Sequence, residues 1–192
     1  DQPPPTAYTE AVEAGAREGA QGLRVAVVTD PTEHEAVDRR VARLVWRVAE
    51  KLSEMGVEVG EARLGEVVVR YSLPAYYVIA VAEASSNLAR YDGVRYGYGV
   101  EPRPWEGWNE FYSRVRREGF GREVRKRIML GSWVLSAGYR DQYYVRALKV
   151  RSVVAESVLR LTRAYDALLA PSAVAPPPRL GEVIEDPQRM YL

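Results

Sequence analysis

Residues 23–64 read LRVAVVTDPTEHEAVDRRVARLVWRVAEKLSEMGVEVGEARL, and two periodicities alternate within them. Leu23–Val28 is a short β-branched run that ends at Asp30-Pro31, the pattern of a strand followed by a turn. Thr32 and Glu35 stand in T-x-x-E spacing, which predicts a capping box at a helix N-terminus. Behind it Val37, Val41, Leu44, Val45, Val48, Leu52 and Met55 recur at spacings of 4, 3, 1, 3, 4 and 3, one face of an amphipathic helix. Gly56 follows where a glycine closes such a helix. Val57–Leu64 then reads as a second strand, so the stretch predicts a parallel, right-handed βαβ unit.

Working outward, Asp1–Glu18 holds three consecutive prolines with much Ala and Gly, and residues 1–21 read as a linker with a short helix at most. After residue 70 the pattern turns helical: Leu73–Arg90, Trp105–Glu118 stopped by Gly119, Arg122–Ala137 and Asp141–Ala164. The last carries a stripe at Val150, Val154, Val158 and Leu161. Ala167–Ala170 reads as a buried strand, broken by Pro171 and the triple proline at 176–178. The fold class is α/β: a βαβ unit, a helical portion and a return strand, with residues 22–192 forming part of a single domain.

The composition narrows the chemistry. With no cysteine, disulfides, thiolate metal sites and cysteine nucleophiles are all excluded. One histidine, His34, leaves no histidine triad or multi-histidine metal site, and it reads as a solvated residue in the first turn of the capped helix. A net charge of +1 makes no electrostatic case for nucleic acid or for an anionic membrane. No apolar run nears the ~18–20 residues of a membrane span, so the cytoplasm is the expected location. Gly-Gly pairs, G-x-S-x-G, P-loop and G-x-G-x-x-G patterns are all missing, and Lys51, Lys126 and Lys149 sit among polar neighbours. The chain by itself offers no catalytic residue and no metal site.

Two features nevertheless point to binding. On the helix from Tyr71, the face of Tyr77, Ala80, Ala84, Leu88 and Tyr91 reads as core. The opposite face aligns Tyr76, Glu83, Asn87 and Arg90 at offsets of 0, 7, 11 and 14. Such a stripe is ordinarily a solvated face. Ser85, Ser86 and Asn87 are, however, poor helix-interior residues, because their side chains compete for backbone hydrogen bonds. The second feature is Arg125-Lys126-Arg127, whose members a helix separates. Arg127 falls with Phe120, Val124, Gly131 and Val134 on the apolar side, where Gly131 would leave room beside its guanidinium. A buried forked cation with space next to it suits a carboxylate ligand; an internal salt bridge is the alternative.

Four stretches carry a resemblance: SLPAYYVIAVAEASSNLARYDGVRYGYG (72–99), EGFGREVRKRIMLGSWVLSAGYRDQYY (118–144), KVRSVV (149–154) and GEVIEDPQRMYL (181–192). They resemble the amidase signature family and, within it, the A subunits of glutamyl-tRNA(Gln)/aspartyl-tRNA(Asn) amidotransferases. The resemblance implies a mixed β-sheet layered with helices, of which this chain is the central-to-C-terminal portion. It implies glutamine hydrolysis by a Lys–Ser–Ser triad lying upstream of Asp1. The ammonia would pass to the B subunit, which uses ATP and Mg, in a heterotrimer completed by the C subunit. Mischarged tRNA would bind mainly through the B subunit, and no cofactor falls to this segment. Position by position, Arg127 corresponds to the arginine that holds the glutamine α-carboxylate, and Tyr76 to a tyrosine lining the same pocket. The aspartate for the α-amino group would follow Asp186-Pro187 and Met190-Tyr191, beyond Leu192. Residues 83–99 correspond to a buried joint beneath that pocket.

Overall fold

A computed structural model describes residues 7–181. The chain divides into two compact units, one running to Val69 and resuming at Glu156, the other Arg70–Ala155.

The first unit is built on strands β1 (Arg24–Val28), β2 (Glu58–Ala62) and β3 (Ala167–Leu169), in the order β2-β1-β3. Both pairings are parallel, with Arg24 opposite Glu58 and Val25 opposite both Val59 and Ala167. β1 has a neighbour on each side, and its residues Val25–Val28 are buried. Helix α3 (Arg39–Glu54) joins β1 to β2, which makes the expected βαβ unit. Val27 packs with Val45 and Ala49 of α3, and Trp46, Val59 and Leu169 close around them. Burial of this apolar surface is the main term holding the unit together. Two carboxylates fasten the strand ends. Asp30 accepts from the N–H groups of Leu64 (3.1 Å) and Gly65 (2.7 Å), and Asp166 from that of Arg24 (2.8 Å). Ahead of the sheet, α1 (Tyr8–Glu18) buries none of its residues.

The capping box at Thr32 does not form. Thr32 is fully buried in the one-turn helix α2 (Thr29–Thr32), and its hydroxyl donates to the Val28 carbonyl at 2.7 Å. The chain then loops through His34, whose Nδ1 accepts the Ala36 N–H at 3.1 Å, so His34 is exposed on a loop rather than in a helix turn. Asp38 caps α3 instead, its carboxylate accepting the Arg40 N–H at 2.7 Å. The C-terminal end is as the sequence indicates: after Met55, Gly56 takes φ +84°, a left-handed turn that glycine enters without steric cost. The apolar stripe of α3 is only partly used, because Val45 and Ala49 are buried while Leu44, Val48 and Met55 stay about half exposed.

The second unit is helical. α4 (Glu66–Leu88) starts seven residues before the expected Leu73 and contains Pro74, which cannot donate to the residue four positions earlier. α5 (Trp108–Gly119) and α6 (Arg122–Val134) follow. The fourth expected helix divides: Asp141–Val145 is one wide turn, with the Val145 N–H on the Arg140 carbonyl five residues back, and α7 is Arg146–Ala164. The 23 residues of α4 correct the expectation that nothing is long and apolar enough to span a membrane; it meets that test by length and composition alone.

Candidate functional site

Arg127 and Tyr76, the two residues singled out for a carboxylate pocket, lie on α6 and α4. These helices meet at one close crossing. Gly131 of α6 is buried there, and a Cβ on it would overlap the Val81 carbonyl oxygen and stand 2.6 Å from Ser85 Cβ. Beside the crossing, the Ser85 and Ser132 hydroxyls share a hydrogen bond at 3.0 Å, and Ser132 also donates to the Ile128 carbonyl at 2.9 Å. The space at Gly131 therefore belongs to the backbone of α4 and not to a guanidinium. Arg127 is correspondingly not buried: its side chain is 49% exposed and its Nε lies 3.4 Å from Glu123 Oε1, one turn back. Tyr76 is exposed, with its ring edge-on to Tyr77 at 5.5 Å.

Residues 83–99 are mostly exposed in this chain, not a buried joint. Their order comes from Asp92, which accepts from the N–H groups of Val94 (3.0 Å) and Arg95 (2.9 Å) and from Arg95 Nε (2.9 Å). Those two N–H groups and the guanidinium hold its carboxyl well below the usual carboxylate range. The loop so formed covers a cavity of about 200 Å³ lined by Tyr91, Gly97, Tyr98, Val115, Gly119 and Phe120. Ser85 and Arg90 thus have partners: Ser132 for the first, and for the second the Asn87 carbonyl, which accepts from Arg90 Nε at 3.2 Å.

The strongest polar contact was not expected from the sequence. Arg114 of α5 is buried and grips Glu106 with two bonds of 2.7 Å, while its Nη2 also donates to the Glu101 carbonyl at 2.8 Å. That fork holds the Glu106 carboxyl down to about 2. No motif signals a pair eight residues apart across a loop. Asp92-Gly93, by contrast, is a turn signal that sequence reading can use.

Among the described residues no group of His, Asp and Glu could hold a metal ion. All three lysines are exposed, and Lys51 is tied to Glu54 at 2.6 Å. Among the described residues no hydrogen bond joins a serine or threonine hydroxyl to a lysine or to His34.

The sequence model of the amidase family matches residues 1–192. This chain belongs to the amidase family. Among the amidase relatives, the A subunit of glutamyl-tRNA(Gln) amidotransferase from Saccharolobus solfataricus is 46% identical over 172 residues, covering 89% of this chain and 34% of that protein. The protein of the same name from Rubrobacter xylanophilus is 47% identical over 178 residues, covering 93% of this chain and 36% of the relative. The chain spans about a third of the length of these curated relatives. In three dimensions it is similar to the glutamyl-tRNA(Gln) amidotransferase A subunit of Thermotoga maritima, with a TM-score of 0.59 and 32% identity over 91% of this chain and 32% of that one. A bacterial aryl acylamidase of the amidase signature family, 16% identical over 87% of this chain and 30% of its own, shares the fold with a TM-score of 0.60.

Proposed function

We propose that this chain is part of the glutamine-hydrolysing component of a tRNA-dependent amidotransferase and forms one wall of its glutamine pocket. The observation that carries the proposal is its 46–47% identity with two proteins bearing the name of that component. The reaction is acyl transfer from glutamine to a serine, release of ammonia and hydrolysis of the acyl-enzyme. This chain's part is recognition. Arg127 would take the substrate α-carboxylate through its planar fork, exchanging a half-exposed contact with Glu123 for a bidentate one, and Tyr76 would line the same wall. Serine nucleophile and lysine base would come from outside these 192 residues, so the chain alone is inactive. The whole assembly would be a cytoplasmic heterotrimer with the amidotransferase B and C subunits. ATP and Mg would act in the B subunit, which would also hold most of the mischarged tRNA and amidate its glutamate or aspartate.

A second reading, a general amidase of the same family, draws on Arg127 already having an acidic neighbour on its own helix. An amide without an α-carboxylate would leave the guanidinium to Glu123. Ammonia release by the complete parent protein separates the two. Preference for glutamine over a simple aliphatic amide is expected; preference for the aliphatic amide would overturn the first reading.

A further inference from the structure

Helix α1 is 11 residues long, and none of them is buried. Among the described residues its side-chain bonds are internal: Arg17 Nε donates to the Glu13 carbonyl at 3.1 Å, and the guanidinium lies 3.7 Å from the Glu13 carboxylate. A helix this short is marginal in water when nothing packs on it. Yet α1 is amphipathic. Tyr8, Ala11, Val12 and Gly15 recur at helical spacing on one side, with Glu10, Glu13 and Arg17 on the other. Tyr8 and Val12 are each 71% exposed. In the same unit the outer flank of α3 carries a second uncovered stripe, Leu44, Val48 and Met55, each about half exposed. A groove of about 390 Å³ runs along it, lined by Leu44 and Val48 together with Arg47 and Lys51.

We infer that the outer flank of α3 is the docking site of α1, which turns about Gly19 and Ala20 and lies along α3 in the same direction, Val12 over Val48 and Tyr8 over Leu44. The tether is in the right place. The Gly22 N–H donates to the Gly56 carbonyl at 3.2 Å, and a Cβ on Gly56 would stand 3.0 Å from Gln21 Cγ, so the segment after α1 is fastened at the C-terminal end of α3. From Gln21 back to Glu18 the chain can span about 10 Å, the separation of two packed helices. The stripes also match in length. Val12 stands six residues before the last residue of α1, Glu18, and Val48 six before the last of α3, Glu54. Tyr8 and Leu44 each stand ten before, so with the ends level both pairs come into register. The pivot suits a turn: Gly19 has φ +74°, in the left-handed region that glycine enters and leaves without steric cost. A helix tethered beside the groove meets it at far higher effective concentration than a second copy or a separate protein does. That advantage makes α1 the occupant.

The test is disulfide trapping in the complete parent protein. Residues 1–192 contain no cysteine, so an introduced pair meets no competing thiol among them. A disulfide needs its Cα atoms within about 7 Å, so it reports contact of the two helices. Under mild oxidation Val12→Cys with Val48→Cys is expected to link within one molecule, at least about tenfold faster than Glu10→Cys with Val48→Cys, where position 10 faces away. Mass spectrometry of tryptic peptides identifies the bond, and non-reducing electrophoresis tells a link within one chain from a link between two. Amide hydrogen exchange reads the same contact without cysteines. Leu44→Ser with Val48→Ser should speed exchange along α1 at least about tenfold, while Val25–Val28 of β1 keep wild-type protection and so show that the unit is folded. Equal linking rates for the two cysteine pairs, links found only between two molecules, or α1 exchange unaltered by the serine pair would each overturn the inference. So would a Val48→Cys thiol that neither links nor reacts with a maleimide, since another part of the parent protein would then cover the flank.

Discussion

The guanidinium of Arg127 is placed where a second carboxylate can compete for it. Its Nε stands 3.4 Å from Glu123 Oε1, and both side chains are half exposed, a kind of pair that contributes little to stability. A substrate carboxylate taken in two parallel bonds, away from water, would hold it more firmly. In the complete parent protein, Arg127→Lys keeps the charge and loses the fork, so steady-state kinetics should show a strong rise in glutamine KM; Arg125→Lys should change little. Equal effects would mean that the carboxylate is held elsewhere. The residue was only half legible in the sequence. The 3.6-residue period placed Arg127 on the apolar side of α6, and it does flank the buried Gly131 and Val134. The period could not tell which element would fill the space at Gly131, and α4 fills it. Arg114 and Glu106 gave no such signal, since their pairing depends on how a loop closes rather than on spacing along a helix. Their contact makes a prediction in acid. Glu106 is depressed from 4.5 to about 2, so the stability it contributes is complete above the unfolded value and is lost as pH falls through about 2. Thermal melts between pH 5 and pH 2 should therefore fall less steeply in Glu106→Gln than in the wild type, although the variant starts lower at pH 7.

At the scale of elements, the crossing of α4 and α6 depends on one missing side chain. A Cβ at Gly131 would overlap a backbone carbonyl, and backbone cannot swing aside as the end of a flexible side chain can. Gly131→Ala should destabilise the protein by about 1–3 kcal/mol, the usual cost of forcing an extra methyl into a packed contact. Gly15→Ala is the matched control: its Cβ meets nothing within 4 Å, and helix propensity should make it neutral or mildly stabilising. Equal melting temperatures for the two variants would show that the crossing is looser than its geometry indicates. The elements of the βαβ unit were the most legible part, because each strand and helix carries its own period and Gly56 marks a boundary. The start of α3 was misread for a physical reason. The T-x-x-E spacing points to Thr32, but its hydroxyl is buried on the Val28 carbonyl, and Asp38 caps the helix instead. α4 starts earlier than the apolar pattern indicates, and Pro74 sits inside its third turn.

At the scale of the whole molecule, the described residues leave apolar helix faces uncovered. Leu44, Val48 and Met55 leave the outer flank of α3 about half exposed, and on α6 Leu130 and Trp133 are nearly half exposed and Met129 more so. The relatives are roughly three times as long. A serine nucleophile needs a base within hydrogen-bond reach and donors for the oxyanion. The candidate bases here are His34, exposed on a loop with its Nδ1 already accepting from Ala36, and three exposed lysines. Ser85 and Ser132, the two serines that meet, are bonded to each other with no basic group in the contact, so neither is activated. Residues 1–192 alone should accordingly release no ammonia from glutamine above the uncatalysed rate, while the complete parent does so under the same conditions. A coupled ammonia assay reads both, and circular dichroism of the isolated chain should retain the helical signal of α3 to α7, so that inactivity is not mistaken for unfolding. If the folded 192-residue chain turned glutamine over, a nucleophile and its base would have to lie within it, and the division of labour proposed here, recognition in this portion and chemistry in the remainder, would be wrong.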